Sequence, residues 1–190
     1  MKFSFIITTV LSLIVAAGCG REQSSQSDSS GNSDIHGESV PEDFQLPEGI
    51  DASKYALDAE PEDAKDVIAA RTSATDGEPI VVRGRIGGSK NPWIGGRAAF
   101  SIVDPSLDAC SDIPGDKCAQ PWDYCCRTDQ LPTATALVMV VDENGDPLEA
   151  DARALLKVAE LSTVVAKGKA QVDDKGNLAV LAEGVYVKGP

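Results

Sequence analysis

The chain has 190 residues and a formal net charge of −13, from 30 acidic against 17 basic side chains. So acidic a surface repels phosphate backbones, because nucleic-acid affinity comes largely from Lys and Arg neutralising phosphates; nucleic acid is not an expected partner. Aromatic residues make up only 5%, which predicts a small core of Val, Ala, Ile and Leu in one domain.

Met1 to Gly18 reads as an export signal. Lys2 supplies a short positive start, and Phe3 to Ala17 is apolar apart from Ser4, Thr8, Thr9 and Ser12. The stretch falls short of the about 20 apolar residues that span a bilayer. It ends Val15-Ala16-Ala17-Gly18-Cys19, which resembles the bacterial lipobox, with Ala16 where Leu is usual. The resemblance implies a diacylglycerol on the Cys19 sulfur, cleavage before Cys19 and acylation of the new terminus. Several acyl chains, at about 0.8 kcal/mol per buried CH₂, hold a protein on a bilayer almost permanently. The resemblance also implies an oxidising compartment. Gly20, in place of an Asp, points to the outer membrane, facing the periplasm or the exterior.

Residues 19–50 form the expected tether. Arg21 to Gly49 is rich in Ser, Asp, Gln, Glu and Gly and has no hydrophobic period. Such a composition buries too little apolar surface to offset its ordering entropy. A coil of about 30 residues spans roughly 30 Å. His36, the only histidine, lies in this segment, so the following domain lacks the usual general base. No Ser stands in a Gly-x-Ser-x-Gly context either. An enzyme is not expected.

The domain is read as residues 51–190. Phe44, Leu46, Ile50, Tyr55 and Leu57 are placed to pack on its edge. Ala59 to Ser73 predicts a helix, with Pro61 in its first turn and Ala64, Val67, Ile68 and the stem of Arg71 on one face. Ile80 to Ile86 alternates as a strand, and Gly84, Gly87 and Gly88 suggest a bulge or barrel corner. Ala98 to Val103 is a second strand. Thr135 to Val141 is a continuous apolar run, which predicts a strand buried on both faces. Asp142 to Pro147 is a turn. Asp151 to Lys157 predicts a short helix, Ser162 to Val172 a fourth strand and Leu178 to Val187 a fifth, joined by the turn Asp173-Asp174-Lys175-Gly176-Asn177.

This order, with the segments Val81 to Gly88 and Leu178 to Val187, resembles the OB-fold, a five-stranded partly open Greek-key barrel. The expected fold class is therefore mainly β: a small OB-like barrel with one N-terminal helix and a short helix between the third and fourth strands. The usual base-stacking aromatics are missing, since Phe100 and Tyr186 are the only strand aromatics.

Between the second and third strands lies a cysteine-rich loop, residues 104–132. It holds Cys110, Cys118, Cys125 and Cys126, with seven, six and no residues between them. A loop this long in a small domain is usually functional or disordered. Two disulfides are the default in an oxidising compartment, with Cys125 and Cys126 each pairing back to Cys110 or Cys118; both pairings stay open. A thiolate site for copper or zinc is the other reading. The spacing is not the paired C-x₂₋₄-C of zinc ribbons, but vicinal cysteines suit soft metals. Trp122, Asp123 and Tyr124, with Trp93 on the preceding connection, form a candidate recognition patch; the other reading is that Trp122 and Tyr124 pack over the barrel mouth as the loop's own small core. Arg83, Arg85, Lys90 and Arg97 form a local basic group suited to a small anion or acidic peptide.

The run Pro121-Trp122-Asp123-Tyr124-Cys125-Cys126 also resembles that of small acidic lipoproteins of planctomycete-like bacteria. That resemblance gives a context and no mechanism. The leading expectation is a membrane-anchored exported lipoprotein whose barrel is a binding module, with no cofactor. Its contact face would be the disulfide-stapled loop, and its partner an unidentified protein or small ligand. The alternative is a periplasmic metal-handling protein that binds copper or zinc through the four cysteines.

Overall fold

The computed structural model describes residues 45–188. The export signal, Cys19, His36, Phe44 and nearly all of the tether lie outside them.

Alternation builds the barrel. In strand β2 (Pro79–Ile86), Ile80, Val82, Gly84 and Ile86 are buried, while Val81, Arg83 and Arg85 are half-exposed on the other face. β2 pairs antiparallel with β3 (Ala99–Val103), and β3 pairs antiparallel with β4 (Thr135–Val140). β4 runs parallel to β6 (Leu178–Val187), and β6 is antiparallel to β5 (Thr163–Val172). β5 returns antiparallel to β2 and closes a five-stranded OB-like barrel. A sixth strand of two residues, β1 (Lys65–Asp66), lies parallel against Val82 and Arg83.

Three details differ from the sequence expectation. The apolar run of β4 is not buried on both faces. Ala136, Val138 and Val140 enter the core, while Thr135, Leu137 and Met139 are half-exposed on the outer wall. Alternate residues of β4 point into the barrel, so its other side chains face outward whatever their composition. The bulge lies in β6 at Glu183, which is skipped where Lys167 faces Gly184 and Gly168 faces Ala182, not at Gly84, Gly87 or Gly88. A Cβ on Gly168 would sit 1.9 Å from the Leu181 carbonyl oxygen, so only glycine lets β6 approach there.

The first helix, α1 (Val67–Ser73), begins later than Pro61 implied. Residues 61–64 form turns, with Asp63 left-handed at φ 61°. Pairing of Lys65 and Asp66 with β2 holds the preceding chain extended. Asp66 gives its carboxylate to Arg83 Nε at 2.8 Å, and Asp104 caps the helix from a distance, its Oδ2 accepting from Ile68 N–H at 2.7 Å. Val67 and Ala70 form the buried face, and Ile68 is exposed, contrary to its expected inward position.

Helix α3 (Ala152–Leu156) forms as expected. Asp151 caps it by accepting from Arg153 N–H, and Ala152, Ala154, Leu155 and Leu156 are buried. α3 joins the main core with β2 to β6. At the N-terminal edge, Leu46, Ile50 and Tyr55 pack on that core, and Ala56 bridges to Val185.

Candidate functional site

The loop between β3 and β4 is built from three single 3₁₀ turns, Cys110–Asp112, Pro121–Asp123 and Cys125–Arg127. A short helix, α2 (Leu131–Ala134), then leads into β4. A second hydrophobic cluster holds it together: Val103, Leu107, Ala109, Tyr124 and Ala134, with Leu131 and Leu161 against them. Tyr124 is fully buried and left-handed, at φ 57° and ψ 33°. It ends one 3₁₀ turn and starts the next, so the chain reverses and brings Cys125 and Cys126 back over Cys110. The Tyr124 hydroxyl has no hydrogen-bond partner among the described residues, and burial raises its pKa above the ordinary phenol value.

The end of β2 is the platform. Gly88 N–H donates to Trp122 O at 2.8 Å. A Cβ on Gly87 would meet Trp122 O at 2.7 Å and the Tyr124 ring at 2.9 Å, so Gly87 is what lets the loop lie down on the barrel. Arg85, two residues earlier, pairs with Asp112, whose carboxylate also accepts from Ala109 N–H beside Cys110. These contacts, with the Arg85 hydrogen bond foremost, hold the Asp112 carboxyl below its usual range. Farther out, Arg127 pairs with Asp108 at 2.6 Å.

The four sulfurs converge on Cys125. Its Sγ is 3.4 Å from that of Cys110, 3.5 Å from Cys118 and 3.9 Å from Cys126. Two thiolates on one zinc ion, with bonds of about 2.3 Å, lie about 3.8 Å apart at tetrahedral angles. A disulfide bond is about 2.05 Å long, and none of the four sulfurs is that close to another. Asp116 joins the cluster: its Oδ2 is 3.6 Å from Cys126 Sγ, and its Oδ1 accepts from Cys118 N–H at 2.7 Å. The ligand atoms fall into two triads that share Cys110: Cys110, Cys118 and Cys125, and Cys110, Asp116 and Cys126. Cys110 is buried, Cys118 and Asp116 are half-buried, and Cys125 and Cys126 are exposed. The cluster thus has a closed floor and an open top.

The thiols are not equivalent. Burial pushes the Cys110 pKa up, but hydrogen bonds from the Cys125 thiol, the Cys126 backbone, the Cys118 thiol and the Cys125 backbone outweigh it, and the net shift is downward. Cys125 is pushed up, chiefly because it donates to Cys110 and then to Cys118. For Cys126 the hydrogen bond with Cys125 lowers the pKa, but the Asp116 carboxylate and burial prevail and the net shift is upward. The cluster therefore favours ionisation of Cys110, and a metal cation would displace thiol protons on binding.

Two of the four candidate recognition residues are buried. Trp93 is 7% exposed and Tyr124 0%, so neither presents its ring to a partner. Trp93 belongs to the barrel end: its Nε1 donates to Glu160 at 2.7 Å, Phe100 lies 5.8 Å away and the Arg153 guanidinium 5.2 Å over its ring. Trp122 is half-buried and donates to Lys90 O at 3.2 Å; Asp123 beside it is half-buried. The arginines of the basic group have carboxylate partners. Arg83 pairs with Asp66 and Glu60, Arg85 with Asp112 and Arg97 with Glu149, leaving Lys90 exposed apart from them. In so acidic a chain the nearest carboxylate takes each guanidinium first.

Sequence reasoning missed Asp116, Asp112 and Gly87. The turn Pro114-Gly115-Asp116, two residues before Cys118, was the available signal for Asp116, because an Asp there folds its carboxylate onto the backbone two residues on. Nothing in the sequence pairs Arg85 with Asp112. No protein-family model matches the chain, and no curated protein matches it in sequence.

Proposed function

We propose that this chain is an exported, lipid-anchored protein of the bacterial cell envelope that binds a soft metal ion, copper(I) or zinc, through its cysteine loop. One observation carries the reading: the sulfurs of Cys110, Cys118 and Cys126 gather 3.4 to 3.9 Å from that of Cys125. Thiolates select copper(I) and zinc over harder ions. The open top, with Cys125 and Cys126 exposed, suits metal exchange with a partner better than a permanent structural ion does. The lipid anchor at Cys19 is read from the sequence alone.

The second reading is a membrane-anchored binding module with a disulfide-stapled loop. It is favoured by the same convergence, since Cys125 lies a small side-chain rotation from either Cys110 or Cys118. One experiment separates the two. The full chain is exported to a periplasm, extracted without reductant, weighed intact under native and denaturing conditions, and analysed for metal. A mass with all thiol hydrogens and near-stoichiometric copper or zinc supports the metal reading. A mass short of four cysteine hydrogens, with no metal, overturns it in favour of the stapled loop.

A further inference from the structure

We infer that the loop holds two copper(I) ions side by side, with the Cys110 sulfur bridging them. This deepens the metal reading above and rests on it. The geometry argues against one shared site, because the ligand atoms do not form a single four-cornered set. They form two triads with one common vertex, Cys110. The first is Cys110, Cys118 and Cys125, an all-sulfur set suited to a three-coordinate soft ion. The second is Cys110 and Cys126, with the Asp116 carboxylate alongside. Copper(I) accepts two or three thiolates, and a thiolate sulfur has lone pairs enough for two such ions. Tetrahedral zinc needs four mutually close donors, which neither triad supplies.

The position of the common vertex supports the assignment. Cys110 is the buried member, its sulfur 3.4 Å from that of Cys125. Its backbone is fixed from the barrel through Ala109, Asp112 and Arg85. A bridging ligand must be the least mobile of the set, since both ions depend on its place. Cys125 and Cys126, adjacent and 3.9 Å apart at sulfur, then reach one to each ion from the exposed side.

The test is a copper(I) titration of the full chain, fully reduced and under anaerobic conditions, against a copper(I)-chelating competitor. Stoichiometry is read by native mass spectrometry and metal–metal distance by X-ray absorption. The expected result is two ions per chain with a copper–copper vector. Cys126→Ser, at an exposed position, drops the count to one and abolishes the vector. Asp116→Asn retains two ions and weakens the second. One ion at saturation in the unaltered chain, or two ions without a copper–copper vector, overturns the bridged pair and leaves the metal reading standing. Two ions retained in Cys126→Ser also overturn it. No bound copper at all overturns the bridged pair and confines the metal reading to zinc.

Discussion

β5 and β6 run side by side from Val164 to Val172, with a backbone ladder along that length and Val164, Ala166, Ala170, Val180 and Ala182 buried between the walls. The cysteine loop has no ladder. It is held by Tyr124 in a pocket of five or six side chains, by Gly88 bonding to Trp122, and by two Arg–Asp pairs. Order in the barrel is spread over a repeating pattern, so the loss of one side chain costs a fraction of the whole. Order in the loop is concentrated at points, so one residue can release the site while the barrel stands.

That contrast can be broken most severely from the barrel side. Gly168→Ala puts a methyl carbon against the Leu181 carbonyl at the bulge, and backbone cannot rotate away as a side chain does. The cost should exceed the roughly 3 kcal/mol of ordinary overpacking. Urea denaturation should find barrel and loop lost together. The loop side gives the sharper test. Tyr124→Ala empties the second cluster, for about 3 kcal/mol, at the low end for large aromatics because a surface loop can partly collapse. Far-UV circular dichroism should keep the strand signal, while limited proteolysis cuts between residues 104 and 134 and metal affinity falls. If the strand signal is lost as well, loop and barrel are one cooperative unit.

A smaller effect is expected where the two regions meet. Asp104 is buried, accepts from Ile68 N–H and from Ser106, and so joins α1 to the start of the loop. Burial opposes its charge, but those hydrogen bonds outweigh it and its pKa is lowered. The charged form is therefore favoured by folding. Its contribution is complete above the ordinary carboxylate range, near pH 4, and is lost as pH falls through the depressed folded value. Asp104→Asn should lower stability at pH 7 by about 1–2 kcal/mol. It should also flatten the acid limb of the stability–pH profile measured by urea midpoints. An acid limb as steep as that of the unaltered chain would remove Asp104 as its cause.

The barrel was legible because strands repeat every two residues and their turns carry Gly, Asn, Asp and Pro. The alternation in Ile80 to Ile86 and Leu178 to Val187, with the Asp173–Asn177 turn, is sufficient to locate those strands and the β5–β6 hairpin. What escaped notice depended on contacts between distant residues. The start of α1 is set by β1 pairing with β2 and by Asp104, 36 residues beyond Ile68. Trp93 looked like a surface residue because Gly, Pro and Asn surround it; its burial follows from α3, which brings Arg153 over its ring. The cysteines were legible as a group from spacing alone. Their division into two triads was not, since Asp116 enters through a turn and the shared vertex through a fold-back at Tyr124.

The parallel pairing of β4 with β6 has a consequence for timing. β6 touches both β4 and β5 and ends at Val187, so the barrel cannot close until nearly the whole chain is available. Contacts that distant in sequence form slowly, because loop-closure entropy comes before any gain. A chain delivered from its N-terminus therefore presents Cys110 through Cys126 to its surroundings while more than fifty residues are still to come. Whether those sulfurs meet an oxidant or a cation in that interval is a race, run before Gly87 and Gly88 have a finished wall to offer.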